Sequence, residues 1–115
     1  MESILSSIKK LLGIPESYTN FDEDIIIHIN TAFAILNQLG VGPDEGFMIE
    51  DGNATWGDYI TKYNLLMIRT FIYLKVRLLF DPPTSNALIE SINRTIGELE
   101  WRIFLEGDSI EEGGE

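Results

Sequence analysis

Hydrophobic positions in this chain recur at helical spacing in four stretches, separated by segments rich in glycine, proline and short polar residues. In residues 2–12, Ile4, Leu5, Ile8, Leu11 and Leu12 share one face of a short amphipathic helix. Lys9 and Lys10 lie near its C-terminal end, where the helix dipole favours cations, and Gly13 and Pro15 end it. A second helix is expected to start near Asn20 or Asp22 and to stop at Gly40, with Asp22, Glu23 and Asp24 complementing the positive helix end. Its core stripe is Ile25, Ile29, Ala32, Phe33, Leu36 and Leu39, whereas Ile27 and Ala34 point nearly the opposite way. Two readings of that pair stay open: isolated apolar side chains on a wet face, which are common, or a subunit contact.

Residues 41–54 contain Gly42, Pro43, Gly46 and Gly52, a turn-rich composition that cannot hold a helix. Asp51 and Gly52 could close a small hairpin around Phe47, Met48 and Ile49, although two short strands alone are marginal in water. If exposed, those three apolar residues suit packing on a neighbour. Thr55 and Asp58 have capping-box spacing and open a helix or a short turn. The loop chemistry of residues 62–64 could separate that turn from a main helix over about 65–80. Of those 16 residues 12 are apolar, counting Tyr73, so this helix must be surrounded. Arg69, Tyr73 and Arg77 form its one polar stripe. Each arginine needs a carboxylate or carbonyl, either within the subunit, for instance on the last helix, or across a subunit interface.

Asp81, Pro82 and Pro83 end the main helix, because proline lacks an amide donor and pushes its predecessor out of the helical region. Thr84 or Ser85 can cap a last helix running to about residue 106, with Leu88, Ile92, Ile96, Leu99 and Ile103 as its seam. Glu90 with Arg94 and Glu98 with Arg102 are acid-before-base pairs four apart. The expected fold is all-α, a small bundle of about four to five helices with a long loop between the second and third. One helical domain, residues 1–105, would precede an acidic C-terminal arm, 106–115, expected to be disordered in isolation.

Composition narrows the function. With 19 acidic and 8 basic residues the net charge is -11, a field that repels phosphate and disfavours ordinary nucleic-acid binding. Acid gathers in the loops and the tail, base on helix faces. The chain has no cysteine, and its start carries no charged-then-apolar leader or small-residue cleavage site, which together suggest an intracellular protein. The most apolar stretch is too short and too charged to span a bilayer.

Cysteine nucleophiles and the usual Cys/His zinc sites are excluded, since the chain has a single histidine and no thiol. His28 lies four residues after Asp24, as either a surface pair or a general base, and no nucleophile accompanies it. Gly40 to Pro43 lacks the strand and the lysine of a phosphate loop, and 44–51 lacks the calcium-loop pattern. No catalytic, cofactor or metal residue is assigned, and an enzyme is not expected.

The segment from Tyr73 through Phe80, Asp81, Pro82, Pro83, Thr84 and Ser85, with Glu98 to Arg102 around Trp101 downstream, resembles the small head-tail connector (adaptor, head-completion) proteins of long-tailed bacteriophages of Gram-positive bacteria. The opening around Ile8 to Pro15, the stretch Phe21 to Asn30 and Trp56 are similar as well, so the resemblance covers about residues 4–103. It implies a structural virion protein, assembled in the host cytoplasm, that forms a homo-oligomeric ring, usually dodecameric, beneath the portal protein. The ring extends the DNA channel without binding DNA specifically and meets the stopper or tail-completion protein; no cofactor or membrane is implied. By region, the resemblance assigns portal contact to Glu106, Asp108, Ile110, Glu111 and Glu112. Neighbouring or stopper subunits would meet Asp44, Glu45, Phe47, Met48 and Ile49, together with the outward Ile27 and Ala34. Arg69, Tyr73, Arg77, Asp81, Pro82, Pro83 and Trp101 would define the fold. The rival reading is a small acidic phage inhibitor that mimics DNA.

Overall fold

The described residues form five helices in the order α1 (Ile4–Leu12), α2 (Asp22–Gln38), α3 (Trp56–Tyr59), α4 (Leu65–Phe80) and α5 (Asn86–Gly113). The computed structural model describes residues 2–59 and 64–113, with side chains described as far as Gly107. The all-α class expected from the pattern is the observed one. No strand forms among the described residues. The bundle is a slab of 44 × 35 × 20 Å, about two helices thick.

The most apolar helix, α4, is the centre. Asn64 caps it, accepting the Met67 amide at 3.3 Å, and the chain leaves it at Asp81. Its contacts with α1, α2 and α5 bury Ile68, Phe71, Ile72 and Val76 completely. Against them lie Ile25, Ile29, Ala32, Phe33 and Leu36 of α2, the stripe read from the sequence, and Ile4, Leu5 and Ile8 of α1. The enclosure of α4 is incomplete, however: Leu66 and Leu79 stand 71% and 51% exposed. The break expected at 62–64 falls outside the described residues except for Asn64.

Helix ends follow local chemistry. Ser3 caps α1 by accepting the Ser6 amide, and Gly13, at φ 81°, closes it with bonds to the Lys9 and Lys10 carbonyls. At α2 the expected side-chain cap is missing: Phe21 occupies the N-cap, Asn20 donates instead to the Tyr18 hydroxyl, and Asp22 turns to Lys9. Thr55 and Asp58 close half of the capping box, with both the amide and the hydroxyl of Thr55 donating to the Asp58 carboxylate. Ser85 caps α5 through the Leu88 amide, so the proline corner delivers a fresh helix that packs chiefly on α4.

Several expectations are corrected. No hairpin forms in residues 41–54; its glycines Gly42 and Gly46 take φ of 97° and 90°, which breaks any extended run, and side chains of α2 take over the pairing. The Asn30 amide donates to the Ile49 carbonyl at 3.0 Å while its oxygen accepts the Ile49 amide at 2.8 Å, and Asn37 donates to the Pro43 carbonyl. Ile49 is therefore buried rather than exposed. The arginines of α4 find partners other than the acids of α5. Arg69 lies over the Trp56 ring, 5.9 Å from its centre, with Glu2 3.8 Å away, and Arg77 donates to the Asp81 carbonyl and the Tyr73 hydroxyl. The last helix does not stop near 106 but runs to Gly113, because adding residues to a formed helix is far easier than nucleating one. Leu88, expected in the seam, is 48% exposed at the corner, where α4 has already ended.

The closest backbone fit in the loop is at Gly42, where a Cβ would lie 3.0 Å from the Tyr59 ring on a φ that side chains rarely adopt. Gly42→Ala is expected to lose roughly 1–3 kcal/mol by urea denaturation. A variant as stable as the parent would show that the turn relaxes freely.

Candidate functional site

Two uncovered faces stand out, and they lie on different elements. The first is a groove of about 850 Å³ between the outer side of α2 and the loop. It gathers five residues that the sequence reading had assigned to subunit contact: Ile27, Ala34, Glu45, Phe47 and Met48. Ile27 and Met48 are 61% and 71% exposed. Asp44 is exposed beside the groove without lining it, and buried Ile49 does not reach it.

The loop wall of this groove is fixed from below. Phe47 packs edge-on against Phe33 of α2 at 5.1 Å between ring centres, and Tyr59 of α3 completes the triangle at 4.5 and 5.0 Å. With the Asn30 and Asn37 bonds, these rings hold the loop as a rigid ledge although it has no secondary structure. Asn30→Ala should leave the backbone groups of buried Ile49 unpaired, a loss of about 2 kcal/mol. Limited proteolysis should then cut within residues 43–50 much faster than in the parent; equal cleavage would mean that the ledge does not depend on Asn30.

The second face is a ridge on α5, and the sequence reading missed it. Trp101, Phe104 and Leu105 are 59%, 42% and 44% exposed, and the Trp101 and Phe104 rings stack 6.0 Å apart. Trp101, grouped with the fold-defining residues, points away from the core. The signal was present: Trp101 lies two positions before Ile103, about 200° round the helix, hence opposite the buried seam of Ile92, Ile96 and Ile103. Arg102 is held by Glu98 at 2.8 Å, and Arg94 is exposed one turn further back.

Of the residues assigned to portal contact, Glu106 is half-buried and accepts the Asn64 amide at 2.8 Å, which ties α5 to the start of α4. The side chains of Asp108, Ile110, Glu111 and Glu112 lie outside the described residues, while their backbone continues α5. Pro82 is exposed and Pro83 half-buried at the corner, beside exposed Asp81. His28 faces Phe80, 6.5 Å between ring centres, and forms no ion pair with Asp24 among the described residues. Among the described residues no group of three or more His, Asp or Glu could hold a metal ion, and no helix is long and apolar enough to cross a membrane.

Among the described residues the bundle leaves an apolar groove and an aromatic ridge uncovered. A family model described as phage connector protein matches residues 4–109, the span from the first helix to beyond the ridge. The chain belongs to this phage connector family, and is thus a connector-type structural protein of a phage virion. No curated protein and no solved structure matches it.

Proposed function

We propose that this chain is a head-tail connector (adaptor) subunit: its copies form a ring beneath the portal, extend the DNA channel and join the capsid to the stopper or tail-completion protein. The observation that carries this reading is the family match over residues 4–109, which takes in all of α1 to α4 and most of α5. The two uncovered faces support it, since a cyclic array needs two different, complementary patches on each subunit. The net charge of -11 suits a passage that must let DNA through without holding it.

Within this reading the helical end beyond Glu106 is the portal arm. Ile103 is the last fully buried residue among the described side chains of α5, and deleting residues 107–115 should leave thermal melting nearly unchanged while weakening portal docking. A truncation that unfolds would refute the arm.

The deciding experiment is electron microscopy of the purified chain mixed with its portal protein, and of virions with the chain labelled. A ring at the neck is expected. Absence from the neck, or a stable soluble complex with a DNA-processing enzyme instead, would overturn the connector reading in favour of DNA mimicry.

A further inference from the structure

The seam of α5 uses one side of that helix, and none of the described residues covers the other. Trp101 and Leu105 sit opposite the seam with Phe104 at its flank, and stacking joins the Trp101 and Phe104 rings into one block. The 28 residues of α5 extend about 42 Å against about 24 Å for the 16 of α4. Because Asn64, at the head of α4, lies beside Glu106, the ridge stands at that end of the bundle, just before α5 extends past the start of α4.

We propose that this ridge seats in the α2–loop groove of a second copy of the same chain, so that each subunit offers a ridge to one neighbour and a groove to the other. The inference rests on the connector reading for the ring and adds the surfaces that close it. Shape supports the pairing: the ridge is convex, and the groove, with Ile27, Ala34, Phe47 and Met48 along it, is concave. Charge selects the second copy and the orientation. The groove is lined by Glu45 with Asp44 beside it and by no lysine or arginine, whereas the ridge is flanked by exposed Arg94 and by Arg102, the latter already paired with Glu98. Groove against groove would bring like acids together in a chain already at -11, while ridge in groove brings Arg94 toward the groove carboxylates. The rigid ledge of the loop lowers the ordering cost of binding, since Phe47 is already packed before a partner arrives. Such a contact is head-to-tail, the kind that generates a ring when its rotation closes, whereas ridge on ridge would stop at a dimer.

The absence of cysteine allows a direct test. Met48→Cys and Leu105→Cys are made singly and together, and the full-length chains are assembled on their portal and treated with a short bismaleimide. A Met48→Cys chain mixed with a Leu105→Cys chain should cross-link, each single variant alone should not, and the double variant should give a ladder of covalent oligomers. Like-with-like products, or cross-links from Leu105→Cys to the portal alone, would overturn the pairing. Rings seen by electron microscopy without Met48–Leu105 products would overturn the pairing and leave the connector reading intact; no neck assembly under any condition would sink both. As a second measure, Trp101→Glu should weaken self-association on the order of tenfold or more with far-ultraviolet circular dichroism unchanged, because the position is exposed. Undiminished ring assembly by that folded variant would equally count against the ridge.

Discussion

Lys9→Met is expected to destabilise the folded chain by about 3 kcal/mol, a large share of the stability of a domain this size. The side chain of Lys9 is only 3% exposed, and its ammonium is surrounded by oxygen. It donates to the Tyr18 carbonyl at 2.7 Å and to the Glu16 carbonyl at 3.1 Å, and lies 2.9 Å from Asp22 Oδ1, close enough for an ion pair although poorly aligned for a hydrogen bond. One buried cation thus ties the end of α1, the following turn and the first residue of α2. Methionine keeps most of the apolar stem, so the loss reports the three oxygens left without their donor rather than a cavity. Asp22 is 26% exposed and recovers some hydration, which keeps the figure at the lower end of the range for a broken buried pair. Asp22→Asn should cost less, because the two carbonyls still hold the ammonium. Urea denaturation measures both. A Lys9→Met loss below about 1 kcal/mol would mean that water reaches this site in solution.

That lysine also shows where sequence reading reaches its limit. A lysine near a helix C-terminus reads as a dipole partner, because nothing local says that the next turn folds over it. The same holds for Asn30 and Ile49: they are 19 residues apart, and only the assembled α2–loop contact reveals that a side-chain amide replaces a strand partner. Elements governed by local chemistry were legible. The Asn64 cap and the Asp81, Pro82 and Pro83 corner delimit α4 at the expected residues, and the 3.6-residue period identifies the buried stripe of α2. Ile27, Ala34, Glu45, Phe47 and Met48 were legible individually, but their convergence on one groove was not. The exposed ridge is the opposite case: the helical wheel places Trp101 and Leu105 outside the α5 seam, but only the assembled fold shows that Trp101 stacks with Phe104 on an uncovered face.

Trp56→Ala should have an effect as large as that of Lys9, roughly 3–5 kcal/mol, because Trp56 is fully buried and ties the start of α3 to α1 and α4. The ring is 1% exposed, its Nε1–H donates to the Ser7 hydroxyl at 2.9 Å, and that hydroxyl donates in turn to the Ile4 carbonyl within α1. Its amide donates to the Glu2 carbonyl, and the Ile4 amide to the Ala54 carbonyl, so the chain start pairs with the entry to α3. The Arg69 guanidinium of α4 lies over the ring. Alanine would leave a cavity the size of an indole and remove the surface on which Arg69 rests. Trp56→Phe retains a ring and loses the single hydrogen bond, so it should cost about 1–2 kcal/mol. The two tryptophans separate the readout. In Trp101→Phe the remaining buried Trp56 should emit at short wavelength until the domain unfolds, whereas in Trp56→Phe the exposed Trp101 should emit at long wavelength from the start. Matching emission from the two variants, or a Trp56→Ala chain within about 1 kcal/mol of the parent, would show that this junction does not hold α1, α3 and α4 together.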